Sequence, residues 1–103
     1  MGQDFKLKAA QHAELEYPKE AAGLVVDGNY FPCKNIADNP EDNFVINPVD
    51  YARAMALGKI EAVVHSHPQG TSISNYDYRA CMQTKLRWYV YSVPSKEWWI
   101  IKP

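Results

Sequence analysis

Cysteine is scarce: Cys33 and Cys81 are the only two, and they stand far apart. With no C-x-x-C there is no zinc ribbon, no thioredoxin motif and no zinc-deaminase cysteine pair. Two isolated cysteines suit a reducing compartment, where each acts as a small core residue. Their spacing alone leaves a Cys33–Cys81 disulfide open. An excess of one charge is also missing. Eleven Lys and Arg face 12 Asp and Glu, for a net charge of −1 with no basic run, which speaks against nucleic-acid binding. Long apolar runs are absent as well. The opening MGQDFKLKAAQHAELEY is broken by charges, so neither a signal peptide nor a membrane span is read there. Met1-Gly2 opens like a myristoylation start, but Lys6 stands where Ser or Thr is needed. No internal repeat and no low-complexity segment is found.

What is present is an ordinary globular composition, 47% apolar and 22% charged over 103 residues. One domain over residues 1–103 is expected, large enough to bury roughly 60–70% of the surface of its unfolded chain. Residues 4–16 carry Phe5, Ala9, Ala13 and Glu16 at helical spacing, with Asp4 as a cap and Pro18 past the end. GLVVDGNYFPC reads as a hairpin about Asp27-Gly28. NIADNPEDN is an acidic surface loop, and FVI a short strand. NPVDYARAMALG is a helix with Asn47 as cap, Pro48 at its first position and Gly58 beyond its end. IEAVVHSH is a strand, NYDYRACMQTK a helix, and RWYVYSV and EWWII are closing strands. Strands outside a βαβ rhythm, with helices between, predict an α+β fold: a mixed β-sheet flanked by helices.

The chemistry gathers after IEAVV. On a strand, residues i and i+2 share a face, so His65 and His67 aim both imidazoles at one point. Pro68 and Gly70 then turn the chain, and Asp77 falls in the first turn of the next helix. Two imidazoles and a carboxylate make a three-ligand zinc site with a fourth position open to water. Taken singly, each residue has a plainer role. Asp77 suits the positive end of a helix, Ser74 suits an N-cap, and His12 has no ligand-type residue spaced with it.

Together these residues resemble a family. HSHP, a short loop and SNYD resemble the H-x-H-P…S-x-x-D signature of the JAMM (MPN+) zinc metalloproteases. YPKEAAGLVV resembles their upstream half, a glutamate three residues before a glycine at a strand start. Nearly the whole chain is similar to one branch, the N-terminal domains of lambda-like phage tail assembly protein K. The resemblance implies the JAMM/MPN (cytidine deaminase-like) architecture, with His65, His67 and Asp77 as Zn2+ ligands. It implies Glu20 as general acid/base and Ser74 as the serine that steadies the reacting carbonyl. Two departures stand out. The loop Gln69–Ile73 is one residue shorter than usual, and Ala22 stands where the family often has cysteine.

The implied activity is hydrolysis of a peptide or isopeptide bond, in a phage or prophage tail assembly or tail tip protein. Implied partners are a peptide or protein substrate, other phage tail proteins and a fused NlpC-type peptidase domain. The implied place is the host cytoplasm during assembly, or the virion tail. The competing readings are a non-catalytic MPN-type scaffold and a structural tail component whose zinc only stabilises the fold. A scaffold holds no zinc, a structural site is indifferent to Glu20, and an enzyme needs both.

Overall fold

A computed structural model describes residues 2–103, with side chains from Phe5 onward. The reading at Met1 lies outside what it describes. The first helix begins at Gly2, two residues ahead of Asp4, so Asp4 lies inside the helix and is not its cap as expected. The element order is α1 (Gly2–Glu16), β1 (Ala22–Val26), β2 (Asn29–Cys33), α2 (Pro48–Leu57), β3 (Ile60–His67), α3 (Asn75–Thr84), β4 (Arg87–Ser92) and β5 (Glu97–Ile101). The strands form one sheet in the order β2-β1-β3-β4-β5. Among the described residues only β3 and β4 pair in parallel. A parallel pair needs a crossover connection, and α3 supplies it. The fold is the expected mixed α+β sheet with helices.

Each element follows from local chemistry. α1 buries Phe5, Ala9 and Ala13, one residue per turn along a single stripe, while Leu7 and Leu15 face solvent. It stops at Glu16 because Tyr17, which precedes Pro18, is steered away from helical dihedrals. Asp27 and Gly28 both have positive φ, 49° and 83°, as a two-residue hairpin turn matched to strand twist requires. Pro32 is tolerated because β2 is an edge strand. α2 begins as expected, with the Asn47 side chain accepting the Val49 N–H at 2.8 Å and Pro48 in the first turn.

Alternation along β3 divides the core. Ala62 and Val64 pack with Phe5 and Ala9 of α1 on one face. Val63 lies on the other, with Ala54 of α2 and Cys81 of α3. The odd-numbered face carries His65 and His67 into the layer beneath α3. Both cysteines are free and buried, so no disulfide joins them, and burial pushes the Cys33 thiol up to about 12.

One expected element is corrected. FVI is not a strand. Ile46 makes a single antiparallel bridge with Asn35, and Ile36 N–H bonds the Val45 carbonyl at 2.9 Å. The segment between them loops out and returns, and Phe44 turns inward to stack on His65 with ring centroids 4.5 Å apart. The ring is partly buried there, packed against His65 and Trp88.

Gly23 answers to packing. A methyl group there would overlap the Tyr30 ring, whose hydroxyl is held by His12 Nδ1 at 2.6 Å. Gly23→Ala is therefore expected to destabilise the protein by about 1–3 kcal/mol through overpacking. Urea unfolding should show a lower midpoint at unchanged slope. An unaltered midpoint would mean that Tyr30 swings away without cost.

Candidate metal centre

β3 ends at the site. The His67 carbonyl accepts the Gly70 N–H at 3.1 Å, closing a turn that puts Gly70 at φ +75°, a conformation glycine adopts without steric cost. That turn sets the Thr71 carbonyl 2.6 Å from His67 Nδ1. The ring donates its Nδ1–H there, so the neutral ring offers its Nε2 lone pair to a metal, while in the metal-free cluster the protonated ring donates Nε2–H to Asp77. His65 is oriented by packing instead, stacked on Phe44 and met edge-on by Trp88 at 5.4 Å. Among the described residues its Nδ1 is the buried side-chain polar atom without a hydrogen-bond partner.

The third group arrives with α3. Ser74 is the N-cap, its Oγ accepting the Asp77 N–H at 3.1 Å. Asp77 Oδ2 reciprocates by accepting the Ser74 N–H at 3.2 Å, a capping box. The same carboxylate faces both imidazoles, Oδ1 at 3.2 Å from His65 Nε2 and Oδ2 at 3.3 Å from His67 Nε2. One ligand atom from each residue falls within 4.8 Å of the other two. All three residues are buried. Two imidazole nitrogens and a carboxylate oxygen form a borderline-hard donor set suited to a transition metal, so the cluster could hold a metal ion.

Glu20 reaches the same place from the other side. Ala22 pairs with His65, the Ala21 N–H bonds Ser66 Oγ at 2.8 Å, and the Ser66 N–H bonds the Ala21 carbonyl at 3.0 Å. These bonds fix the chain just after Glu20 beside the end of β3. Glu20, His67, Ser74 and Asp77 then line one cleft of 230 Å³, with Asp42, Phe44 and Thr71 among its other walls. His65 lies behind it, 2% exposed. A larger cleft of 630 Å³ at the opposite end of β3 holds Lys59, Lys85 and Arg87 and none of the cluster residues. His12 does not line this cleft and is bonded to Tyr30 across α1 and β2.

The ionisation states separate. Burial would raise the Asp77 carboxyl, but hydrogen bonds from both imidazoles and from the Ser74 backbone hold it well below the usual carboxylate range. Burial lowers His65, and Asp77 only partly offsets this. His67 is also penalised by burial, yet Asp77, the Thr71 carbonyl and Glu20 raise it above its ordinary value. Glu20 goes the other way. Burial lifts it to about 7, with His67 opposing and Asp77 and Asp42 adding to the rise.

Phe44, Thr71 and Asp42 escaped the sequence reading. Thr71 follows the H-x-H by four residues, so a search for a carbonyl partner to the ring would have reached it. Phe44 lay in a segment read as strand.

The fold and the buried cluster define an α+β domain with a metal-type site at the end of its central strand. Residues 3–101 match the family described as prokaryotic homologs of the JAB domain, and the chain belongs to that family. It is 39% identical over 97 residues to the tail tip assembly protein K of Escherichia phage N15, a similarity covering 89% of this chain and 40% of that protein. The chain thus spans less than half the length of that curated relative. A solution structure of a Desulfitobacterium hafniense protein shares the fold, with a TM-score of 0.73 at 21% identity over 93% of this chain and 76% of the other.

Two outcomes are expected. One divalent ion per chain should bind, and at a free concentration about 100 times its Kd it should stabilise the fold by about 2.7 kcal/mol, read as a raised melting temperature. His67→Ala should abolish that rise, and a rise that persists would place the ion elsewhere. In metal-free protein the raised Glu20 favours the folded state most fully below pH 4.5. That contribution is lost as pH climbs through about 7, because the folded chain then gives up a proton the unfolded chain had already released. Glu20→Gln should flatten that part of the stability profile. A profile identical to the parent's would show that Glu20 is not the group responsible.

Proposed function

We propose that the protein is a zinc-dependent metallopeptidase, hydrolysing a peptide or isopeptide bond as part of a phage or prophage tail assembly protein. The observation that carries this reading is a cleft lined by Glu20, His67 and Asp77, with His65 behind it completing the His-His-Asp cluster. Family membership and the likeness to a tail tip assembly protein support it.

His65, His67 and Asp77 are the proposed ligands. Zinc bound there would act as a Lewis acid that polarises the substrate carbonyl and lowers the pKa of water to about 7. Glu20 takes a proton from the water as its oxygen attacks the carbonyl carbon. It returns the proton to the nitrogen as the C–N bond breaks, so the products are a carboxylic acid and a neutral amine. In the metal-free protein burial lifts this carboxyl to about 7, and a cation held by the cluster would draw it back towards the ionised, proton-accepting form. Ser74 accepts the Asp77 N–H through its oxygen, which leaves its own O–H to donate to the carbonyl oxygen of the substrate. One serine thus caps α3 and serves the cleft. Other tail proteins and a fused NlpC-type peptidase domain are the proposed partners. The described helices include none long and apolar enough to cross a membrane.

The test uses a pooled library of unstructured decapeptides, with cleavage read by mass spectrometry on zinc-loaded protein. Glu20→Gln keeps size and hydrogen bonding but cannot accept a proton. It should retain zinc and lose about 10²–10⁴ in turnover. An active Glu20→Gln protein would remove Glu20 from its assigned role.

Ser74→Ala separates the two jobs of that residue. Loss of the cap should cost about 1 kcal/mol in unfolding, and loss of the carbonyl donor about 10²–10³ in turnover. Lowered stability at parental turnover would leave Ser74 as a cap alone.

A further inference from the structure

Asn35 stands just past the end of β2, at the bridge to Ile46 that closes the loop of residues 36–45. Its side chain makes an unusual number of bonds. Nδ2 donates to the Glu20 carbonyl at 2.9 Å, the Asn43 carbonyl at 3.0 Å and, more weakly, the Pro40 carbonyl at 3.3 Å. Oδ1 accepts the Ala37 N–H at 3.0 Å and the Val45 N–H at 3.1 Å. A carboxamide has two donor hydrogens and two acceptor lone pairs, and here all are engaged.

These bonds join two segments distant in sequence. Four tie the loop to itself, and the fifth crosses to the backbone of Glu20. The loop completes the grip, because the Pro40 carbonyl accepts the Glu20 N–H at 2.7 Å. Both backbone polar groups of Glu20 are therefore held by this one assembly. On the far side, Ala21 is tied to Ser66 of β3. The same loop contributes Asp42, Asn43 and Phe44 to the wall of the cleft.

The geometry points to Asn35 as the positioning residue for Glu20, latching the loop 36–45 across its backbone so that the carboxyl stays in the cleft beside His67. The role rests on the proposed hydrolytic reading only for what Glu20 then does. Aspartate cannot replace Asn35, since it has no donors and would set a negative charge against three carbonyl oxygens. Alanine would leave two loop N–H groups and the Glu20 carbonyl without this partner.

The experiment pairs amide hydrogen exchange with kinetics on Asn35→Asp and Asn35→Ala. Asn35→Asp keeps the acceptor oxygen, so the Ala37 and Val45 amides should stay protected. The Glu20 amide, bonded to the Pro40 carbonyl, should exchange about three- to tenfold faster as the loop holding it loosens with the loss of the Nδ2 bonds to Glu20, Pro40 and Asn43. Asn35→Ala should speed all three. In both variants the β3 amides should keep parental protection and zinc should bind at parental stoichiometry, because no bond of Asn35 reaches His65, His67 or Asp77. Cleavage of the decapeptide library should show kcat lowered about 10- to 100-fold with KM little changed, the mark of a misplaced catalytic group. If Asn35→Ala does not fold, Asn35→Asp decides. Parental exchange at Glu20 in the folded variants overturns the latch. Faster exchange with parental kcat overturns the positioning role. A parent chain that cleaves no peptide overturns the proposed reaction, and exchange alone then decides whether Asn35 holds Glu20.

Discussion

A carboxylate buried as Asp77 is stays ionised only if donors surround it, and that requirement organises this end of the molecule. The donors come from different places in the chain. His65 and His67 come from the end of the central strand, and the Ser74 N–H from the N-cap of α3. Satisfying all of them with one side chain fixes where β3 must stop, how the chain must turn and where α3 must begin. The helix cap and the ligand cluster are one structure, because the oxygen that accepts the Ser74 N–H is also the oxygen facing His67.

The second carboxylate in the cleft lives under the opposite rule. Glu20 is as poorly exposed as His67, each at 7%, but it lacks Asp77's set of close donors. The same burial that Asp77 overcomes therefore shows at Glu20 as a carboxyl lifted to about 7. Two acids a short distance apart are pushed in opposite directions by their partners, one towards permanent charge and the other towards exchangeable protons. That divergence leaves one carboxylate charged throughout the physiological range and the other close to protonation near neutral pH.

The scaffold keeps these environments apart with few elements. The antiparallel β1–β3 pairing brings the chain after Glu20 alongside His65, and the parallel β3–β4 pairing covers the other edge of β3. Phe44 and Trp88 close over His65, so a ring without a partner at Nδ1 is still held in one orientation. The loop carrying Phe44 shapes the cleft and grips Glu20 at once, which makes a surface excursion part of the site.

Local signals were legible wherever a residue's role depends on its neighbours in sequence. The i, i+2 spacing put His65 and His67 on one face, Asp27-Gly28 specified the hairpin, and Asn47-Pro48 specified the start of α2. Each rests on a backbone period or a dihedral preference that a few residues carry by themselves. FVI misled because a short apolar run does not say whether it joins a ladder or folds in over a ring, and only the presence of His65 across the gap decided that. Glu20 looked like any solvated glutamate until its motif was weighed, since burial is a property of what packs around a side chain and not of the side chain. The sequence by itself determined the α+β plan and the residues able to bind a metal. The tertiary structure alone decided that Asp77 is shared between cap and cluster, that Glu20 is desolvated and that the loop from Asn35 to Ile46 closes over it. These last depend on contacts between segments far apart in the chain, whose free energy no local pattern records.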